Sequence, residues 1–403
     1  MLIMPDGRVA SRPEVDNSLP LFRLAFRPFF WLGALFSLLS ILLWALSYTG
    51  QMAFSPYGGG HFWHVHEMLF GFASAIIVGF LLTAVQTWTK VPSIKGPTLM
   101  ALVGVWLLAR ILMAVPAIAP DSVIVLLDIL FLPLSALFLA KPILKAKLWR
   151  NLMFVPILLI MAVLNGLMHM SNMGAISLSY LSLSHVMVMM VALVMCIMGG
   201  RVFPMFTANG TKTPKVTPIS WLEKLSMLSV VLSVVVVADL LPLPETAGAG
   251  VLLIAGVSNL IRALRWRVWV TLKTPLVWPL HLSYWAIGLG LILLGLVKLN
   301  LMTNASIALH TITVGGMGLM ILAMISRVSL GHTGRMIQVG RVMNLAFVVI
   351  VAAAVIRVAA SGWFANYSTG ITVSAVLWIL AYGLFVMKYT PVLFKARVDG
   401  GPG

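Results

Sequence analysis

Charge is scarce in this sequence, and negative charge is scarcest. Only 9% of its 403 residues are charged, and ten acidic side chains stand against 27 Lys and Arg. Soluble domains carry roughly 25% charged residues, so a water-soluble globular fold is excluded. Cysteine occurs once, as Cys196 inside an apolar run, which excludes an internal disulfide. The first twenty residues are mostly polar, so no cleavable signal peptide is expected.

Apolar residues fill the space that charge leaves, at 61% of the chain. They fall in recurring runs of about 20 residues, each long enough to cross a hydrocarbon core of roughly 30 Å as a helix. The runs predict spans at 28–48, 62–88, 97–116, 121–140, 151–170, 178–200, 219–241, 247–264, 275–297, 302–326, 341–361 and 369–389. The expected fold is all-α, a polytopic bundle of about twelve transmembrane helices with the lipid bilayer as its surroundings. No linker is long enough to separate domains, so residues 1–403 read as one integral membrane domain with short cytoplasmic tails at 1–20 and 391–403.

The formal net charge of +17 is a topology signal. Basic residues gather at Arg23 and Arg27, at Lys90 and Lys95, and at Lys141, Lys145, Lys147 and Arg150. They return at Arg201, Lys212 and Lys215, then at Arg262, Arg265, Arg267 and Lys273. Arg327, Arg335 and Arg341 follow, and Lys388, Lys395 and Arg397 close the chain. These seven groups alternate with loops nearly empty of positive charge, Lys298 and Arg357 being the exceptions. The pattern predicts both termini on the cytoplasmic side. Because the charge is confined to short loops, nucleic acid is not an expected partner.

Six of the eight histidines fall in the outer third of the expected bundle. His61, His64 and His66 stand at the outer end of the second span, His169 closes the fifth, and His185 and His310 lie just inside the sixth and tenth. Ionisable groups within a bilayer are costly and usually functional. A single transmembrane histidine is most simply read as a hydrogen-bonding partner for a neighbouring helix. Six at one depth point to metal or haem, because imidazole ligates haem iron and suits copper. Residues two apart point to opposite faces, so His64 and His66 are expected to serve different sites, whereas His61 and His64 can share one. In one arrangement His66 and His310 clamp a haem while His64 and His185 hold copper, joined by His61 or His169; the pairings are interchangeable.

The second, sixth and tenth spans are four apart and share a spacing. His66 precedes Thr83 by 17 residues, His185 precedes Arg201 by 16, and His310 precedes Arg327 by 17; Thr89, Thr207 and Thr333 follow six later. This suggests a worn threefold repeat of a four-helix unit.

Arg110 and Asp128 lie at similar depths in adjacent antiparallel spans. An ion pair is the simplest reading; the functional one gives Arg110 a haem propionate to hold, oriented by Asp128. Glu67 is placed to accept a hydrogen bond from a ligating histidine or to carry a proton. The 25 methionines read mainly as flexible core filling.

The stretch His64-Val65-His66-Glu67-Met68-Leu69-Phe70-Gly71-Phe72, continuing through Gly79-Phe80-Leu81-Leu82-Thr83-Ala84-Val85 to Trp88-Thr89, resembles the NnrS family. The opening Phe26-Arg27-Pro28-Phe29-Phe30, the Gly200-Arg201-Val202 stretch and the loop Ser326-Arg327-Val328-Ser329-Leu330-Gly331-His332-Thr333-Gly334-Arg335 fit the same family. The resemblance covers nearly the whole chain. It implies a bacterial inner-membrane protein containing haem, of b type, and copper, associated with denitrification and the response to nitric oxide and nitrosative stress. Nitric oxide and a membrane or periplasmic electron donor are the partners it implies. A weaker likeness in architecture links the chain to haem–copper oxidases and nitric oxide reductases. Here, however, the tenth span has one histidine where that superfamily has two, and the seventh has none where it has an adjacent pair. Catalytic turnover is therefore not implied, and the likeness is one of layout. The competing class is a proton-coupled secondary transporter that uses His64, His66, Glu67 and Asp128 without metal.

Overall fold

The computed structural model describes residues 18–364 and 366–401. Residues 1–17, most of the expected N-terminal tail, lie outside that range. Among the described residues there is no strand, and twelve helices are long and apolar enough to cross a membrane. They are α1 Phe26–Tyr48, α2 Gly59–Thr89, α3 Gly96–Ala114, α4 Asp121–Lys145, α5 Trp149–Asn172, α6 Tyr180–Thr211, α7 Ser220–Val237, α8 Glu245–Arg265, α9 Trp278–Lys298, α10 Ala305–His332, α11 Arg341–Ala360 and α12 Tyr367–Phe394. The protein is a polytopic membrane helix bundle.

Each expected span corresponds to one helix, but some helices outrun the apolar run that announces them. Helix α6 continues to Thr211, well past the expected end at 200. Hydropathy marks where a chain leaves hydrocarbon, whereas a helix ends where its backbone is capped. At α6 the cap is Lys212, in the left-handed conformation at φ 55°. Arg201 lies within the extension, donating to Asn151 Oδ1 at 3.0 Å, with its guanidinium carbon 5.3 Å from the Phe154 ring centroid. Helix α12 likewise runs to Phe394, and the segment after it is docked. Val398 donates its backbone N–H to the Thr333 carbonyl at 3.2 Å.

The start of α1 and the end of α12 meet at one end of the bundle, as an even number of crossings requires. Helix α1 packs along α12, and Arg27 donates to the carbonyls of Leu393 at 2.8 Å and Lys395 at 2.7 Å. Trp31 donates its indole N–H to Thr390 Oγ1 at 2.8 Å. These contacts span the whole sequence and close the bundle on itself.

Helices α2, α6 and α10 form the interior. Their most apolar windows are 83%, 83% and 72% buried, against 28–50% for the other nine helices. Helix α6 packs against both α2 and α10. The four-helix interval that spaces the histidines thus also marks the innermost helices.

Two of the three inner helices widen into a π-helical turn directly after a histidine. In α2 the turn covers Glu67–Ala73, after His66; in α10 it covers Thr311–Gly318, after His310. Such turns leave carbonyls outside the regular ladder and cluster at functional sites. In each turn an aromatic side chain donates to one backbone carbonyl. Trp106 donates to Gly71 O at 3.0 Å, and Tyr382 donates to Gly318 O at 2.8 Å.

Candidate cofactor and metal site

A cavity of about 420 Å³ opens between α1, α2, α6, α10, α11 and α12. His61, His64, His185, His310 and Arg357 line it, with Trp44 and Trp378 among its apolar walls. His64, His185 and His310 are each the sixth residue of their helix, α2, α6 and α10. Starting from the same end of the bundle, they therefore arrive at one depth, roughly 7–8 Å along each axis at about 1.5 Å per residue.

The ring nitrogens are prepared differently. His310 Nδ1 lies 2.8 Å from the Ser306 carbonyl oxygen and 3.0 Å from Ser306 Oγ. Donation to that carbonyl fixes the proton on Nδ1 and leaves Nε2 as the lone-pair nitrogen, the form a metal takes. The His64 ring stacks on Trp44, centroids 4.2 Å apart at 22°, and its Nδ1 is buried without a hydrogen-bond partner. His61 Nδ1 is 3.0 Å from the Tyr180 hydroxyl.

A second group lies on the other side of α2 and is sealed. His66, Glu67, Arg110, Asp128, Asn165 and His169 are at most 3% exposed. His66 Nδ1 meets Glu67 Oε1 at 2.9 Å; its Nε2 meets Asn165 Oδ1 at 2.8 Å and Asp128 Oδ2 at 3.1 Å. His169 Nε2 meets the same Asp128 oxygen at 2.9 Å, and Asn165 Nδ2 donates to it at 2.8 Å. Arg110 donates to Glu67 Oε1 at 2.6 Å and pairs through its other Nη with Asp128 Oδ1. The two Asp128 oxygens thus divide their partners, Oδ1 meeting the guanidinium and Oδ2 the two imidazoles. His66, Asp128 and His169 each offer a ligand atom within 4.8 Å of the others.

Glycine makes this packing possible. A Cβ at Gly71 would come within 3.1 Å of both Arg110 Nη1 and Glu67 Oε2, and within 2.5 Å of the Phe36 ring. The glycine within the π turn is therefore the space that the ion cluster occupies.

All the histidines singled out by sequence are placed in these two sites, in a different grouping. His66 and His310 do not share a cavity. His61, His64, His185 and His310 line the cavity; His66 and His169 belong to the sealed cluster. His64 and His66 diverge as residues two apart on a helix must. Arg110 and Asp128 form the ion pair, with Glu67 as a third member. Sequence reasoning passed over Arg357, Ser306, Trp44 and Trp378 as site residues. Only Arg357 carried a signal, as a cation at the end of the bundle where positive charge is otherwise nearly absent.

Comparison with curated proteins returns no match. The family model described as NnrS protein matches residues 20–397. That span takes in all twelve helices and both sites, and the motif at 64–72 builds a wall of each. The chain belongs to the NnrS family.

Proposed function

We propose that this protein binds haem and copper in the bacterial inner membrane and takes part in the response to nitric oxide and nitrosative stress, in association with denitrification. One observation carries the reading: histidines from α2, α6 and α10 converge on a single cavity in the membrane interior. Family membership supports the nitric oxide response. At about 420 Å³ the cavity falls within the roughly 300–1,000 Å³ of small-molecule and cofactor sites.

The residues present fit such a group. A flat macrocycle would suit apolar walls that include Trp44 and Trp378, with His310 and His64 as the residues that would hold it. His310 is held by Ser306 with Nε2 left for ligation, and the unpartnered Nδ1 of His64 is a buried polar atom awaiting one. His185 and His61 complete the imidazole lining. A compact group suits a single ion, and His66, Asp128 and His169 supply two nitrogens and an oxygen, a donor set compatible with copper. Glu67 would then orient His66 through Nδ1, and Arg110 would hold Asp128 by its other oxygen. Haem, if held by these histidines, would supply iron chemistry for binding nitric oxide or for passing electrons. The chain itself excludes water from the ion cluster, fixes the imidazole tautomers and sets the depth of the cofactor. An electron donor in the membrane or the periplasm completes the expected set of partners.

The test is an optical spectrum of detergent-purified protein, oxidised, reduced and reduced with nitric oxide, together with metal analysis. His310→Ala should lose the reduced haem bands, His64→Ala and His185→Ala should alter them, and all three should keep copper. His66→Ala and His169→Ala should do the reverse. Nitric oxide should shift the reduced bands of the wild type. Well-folded wild-type protein with neither haem nor copper would sink the reading, and the proton-coupled transporter would replace it.

A further inference from the structure

Arg357 is 8% exposed, lines the histidine cavity and stands in the last turn of α11. Its hydrogen-bond partners are neutral hydroxyls. Nη1 donates to Ser361 Oγ at 2.6 Å, and Nη2 donates to the Tyr367 hydroxyl at 3.1 Å and to Ser306 Oγ at 3.4 Å. Among the described residues it makes no ion pair with a carboxylate. Of the other buried arginines, Arg110 meets Glu67 and Asp128 and Arg262 meets Glu223, whereas the Arg327 guanidinium carbon lies 4.1 Å from the Phe206 ring centroid, away from the cavity.

A buried cation without a counter-ion is costly. The C-terminal dipole of α11 offsets roughly half a unit of charge, which leaves the remainder to something that the chain does not supply. No Asp or Glu lines the cavity. A guanidinium has five N–H donors; Nη2 gives both of its hydrogens, to Tyr367 and Ser306, and Nη1 gives one to Ser361, so an oxyanion that takes a two-donor edge displaces the long 3.4 Å contact to Ser306. The fork is also coupled to the candidate ligand, because Ser306 Oγ touches both Arg357 Nη2 at 3.4 Å and His310 Nδ1 at 3.0 Å.

We propose that Arg357 binds a planar oxyanion belonging to the occupant of the histidine cavity. The chemistry recognised is two coplanar oxygens sharing one negative charge, the match for a guanidinium fork. It has two sources: a carboxylate carried by a bound macrocycle, or a small inorganic oxyanion such as nitrite that enters the same space. The inference deepens the cofactor reading of this cavity and rests on it for the first source only. It also explains the one cation on the wall of the cavity. Arg357 breaks the loop-charge pattern because its partner is a ligand.

The experiment compares full-length wild type, Arg357→Gln and Arg357→Lys in detergent. Haem per chain is measured from the reduced spectrum, and nitrite binding by calorimetric titration. A several-fold fall in haem per chain in Arg357→Gln, with partial retention in Arg357→Lys and no heat from nitrite, assigns the carboxylate of the macrocycle. Unchanged haem, with nitrite binding in wild type weakened at least tenfold in Arg357→Gln, assigns the small anion. Folding is checked by the thermal unfolding midpoint; if Arg357→Gln does not fold, Arg357→Lys decides, since it keeps the charge and loses the fork. Wild type without haem overturns the cofactor reading alone, and the nitrite titration still decides this one. Haem and nitrite binding both unaffected in the folded variants, or neither ligand bound by wild type, overturns the role of Arg357.

Discussion

Helix α2 presents two histidines, two residues apart, to two sites of different make-up. The sealed cluster around His66 holds two carboxylates and one guanidinium, and both ring nitrogens of His66 face acceptor oxygens. The cavity around His64 holds one guanidinium and no carboxylate, so it carries one positive charge in excess. The cluster is small, carboxylate-rich and closed, whereas the cavity is larger, largely apolar and lined by one guanidinium. The difference teaches that a set of histidines at one depth need not be one site. Charge and volume separate them where histidine count does not.

The largest expected effect breaks the cluster. Asp128→Ala removes the oxygens that hold Arg110, His66, His169 and Asn165. Removing one partner from a buried pair costs about 3–5 kcal/mol, and the thermal unfolding midpoint in detergent should fall accordingly. His310→Ala faces open volume, and its cost in stability should be about 1 kcal/mol or less. Equal losses at the two positions would erase the distinction between a sealed cluster and an open cavity.

A middle-sized effect tests how tightly the cluster is fitted. Gly71→Ala puts a methyl group against Phe36, Arg110 and Glu67. Overpacking of this kind costs about 1–3 kcal/mol, because the Phe36 ring can rotate away more easily than the ion pair can. A midpoint unchanged from wild type would show that the cluster has slack.

The smallest effect lies outside the membrane, at an exposed pair that seals the chain's end. Asp399 accepts from Arg397 Nε at 2.9 Å and Nη2 at 2.6 Å. Arg397 Nη1 in turn donates to the His332 carbonyl at 3.1 Å. The Arg397 hydrogen bonds hold the Asp399 carboxyl at about 2, below its ordinary 3.8. A depressed pKa stabilises the docked tail fully above 3.8, and that contribution is lost as pH falls through about 2. Amide exchange at Val398 should therefore quicken over that window in wild type. In Asp399→Asn it should start quick and show no such step; a step of the same size in the variant would refute the assignment.

Much of the fold is legible in the sequence, because a bilayer leaves the backbone few options. Within hydrocarbon each N–H and C=O must find a partner inside its own helix, so an apolar run of sufficient length dictates a helix. The count of twelve and the approximate bounds follow from that. The far end of α6 does not, since beyond the apolar run the helix is decided by capping and by contacts such as Arg201 with Asn151. The site was legible in its members and illegible in its grouping. Histidines stand out because they are expensive in lipid, and helical phase alone separates His64 from His66. Arg357 left only a faint trace, as a charge at the end of the bundle that is otherwise nearly free of positive charge.

The sequence by itself determined that this chain crosses a membrane about twelve times, that its second, sixth and tenth spans carry histidines at one depth, and that it resembles the NnrS family. Tertiary structure alone decided which histidines meet. The sequence specifies the depth of a residue through the rise of its helix and its face through the helical phase. Which neighbour that face meets depends on packing between helices distant in the chain. That packing puts His310 beside Arg357 and His64, while His66 turns to Asp128, Asn165 and His169.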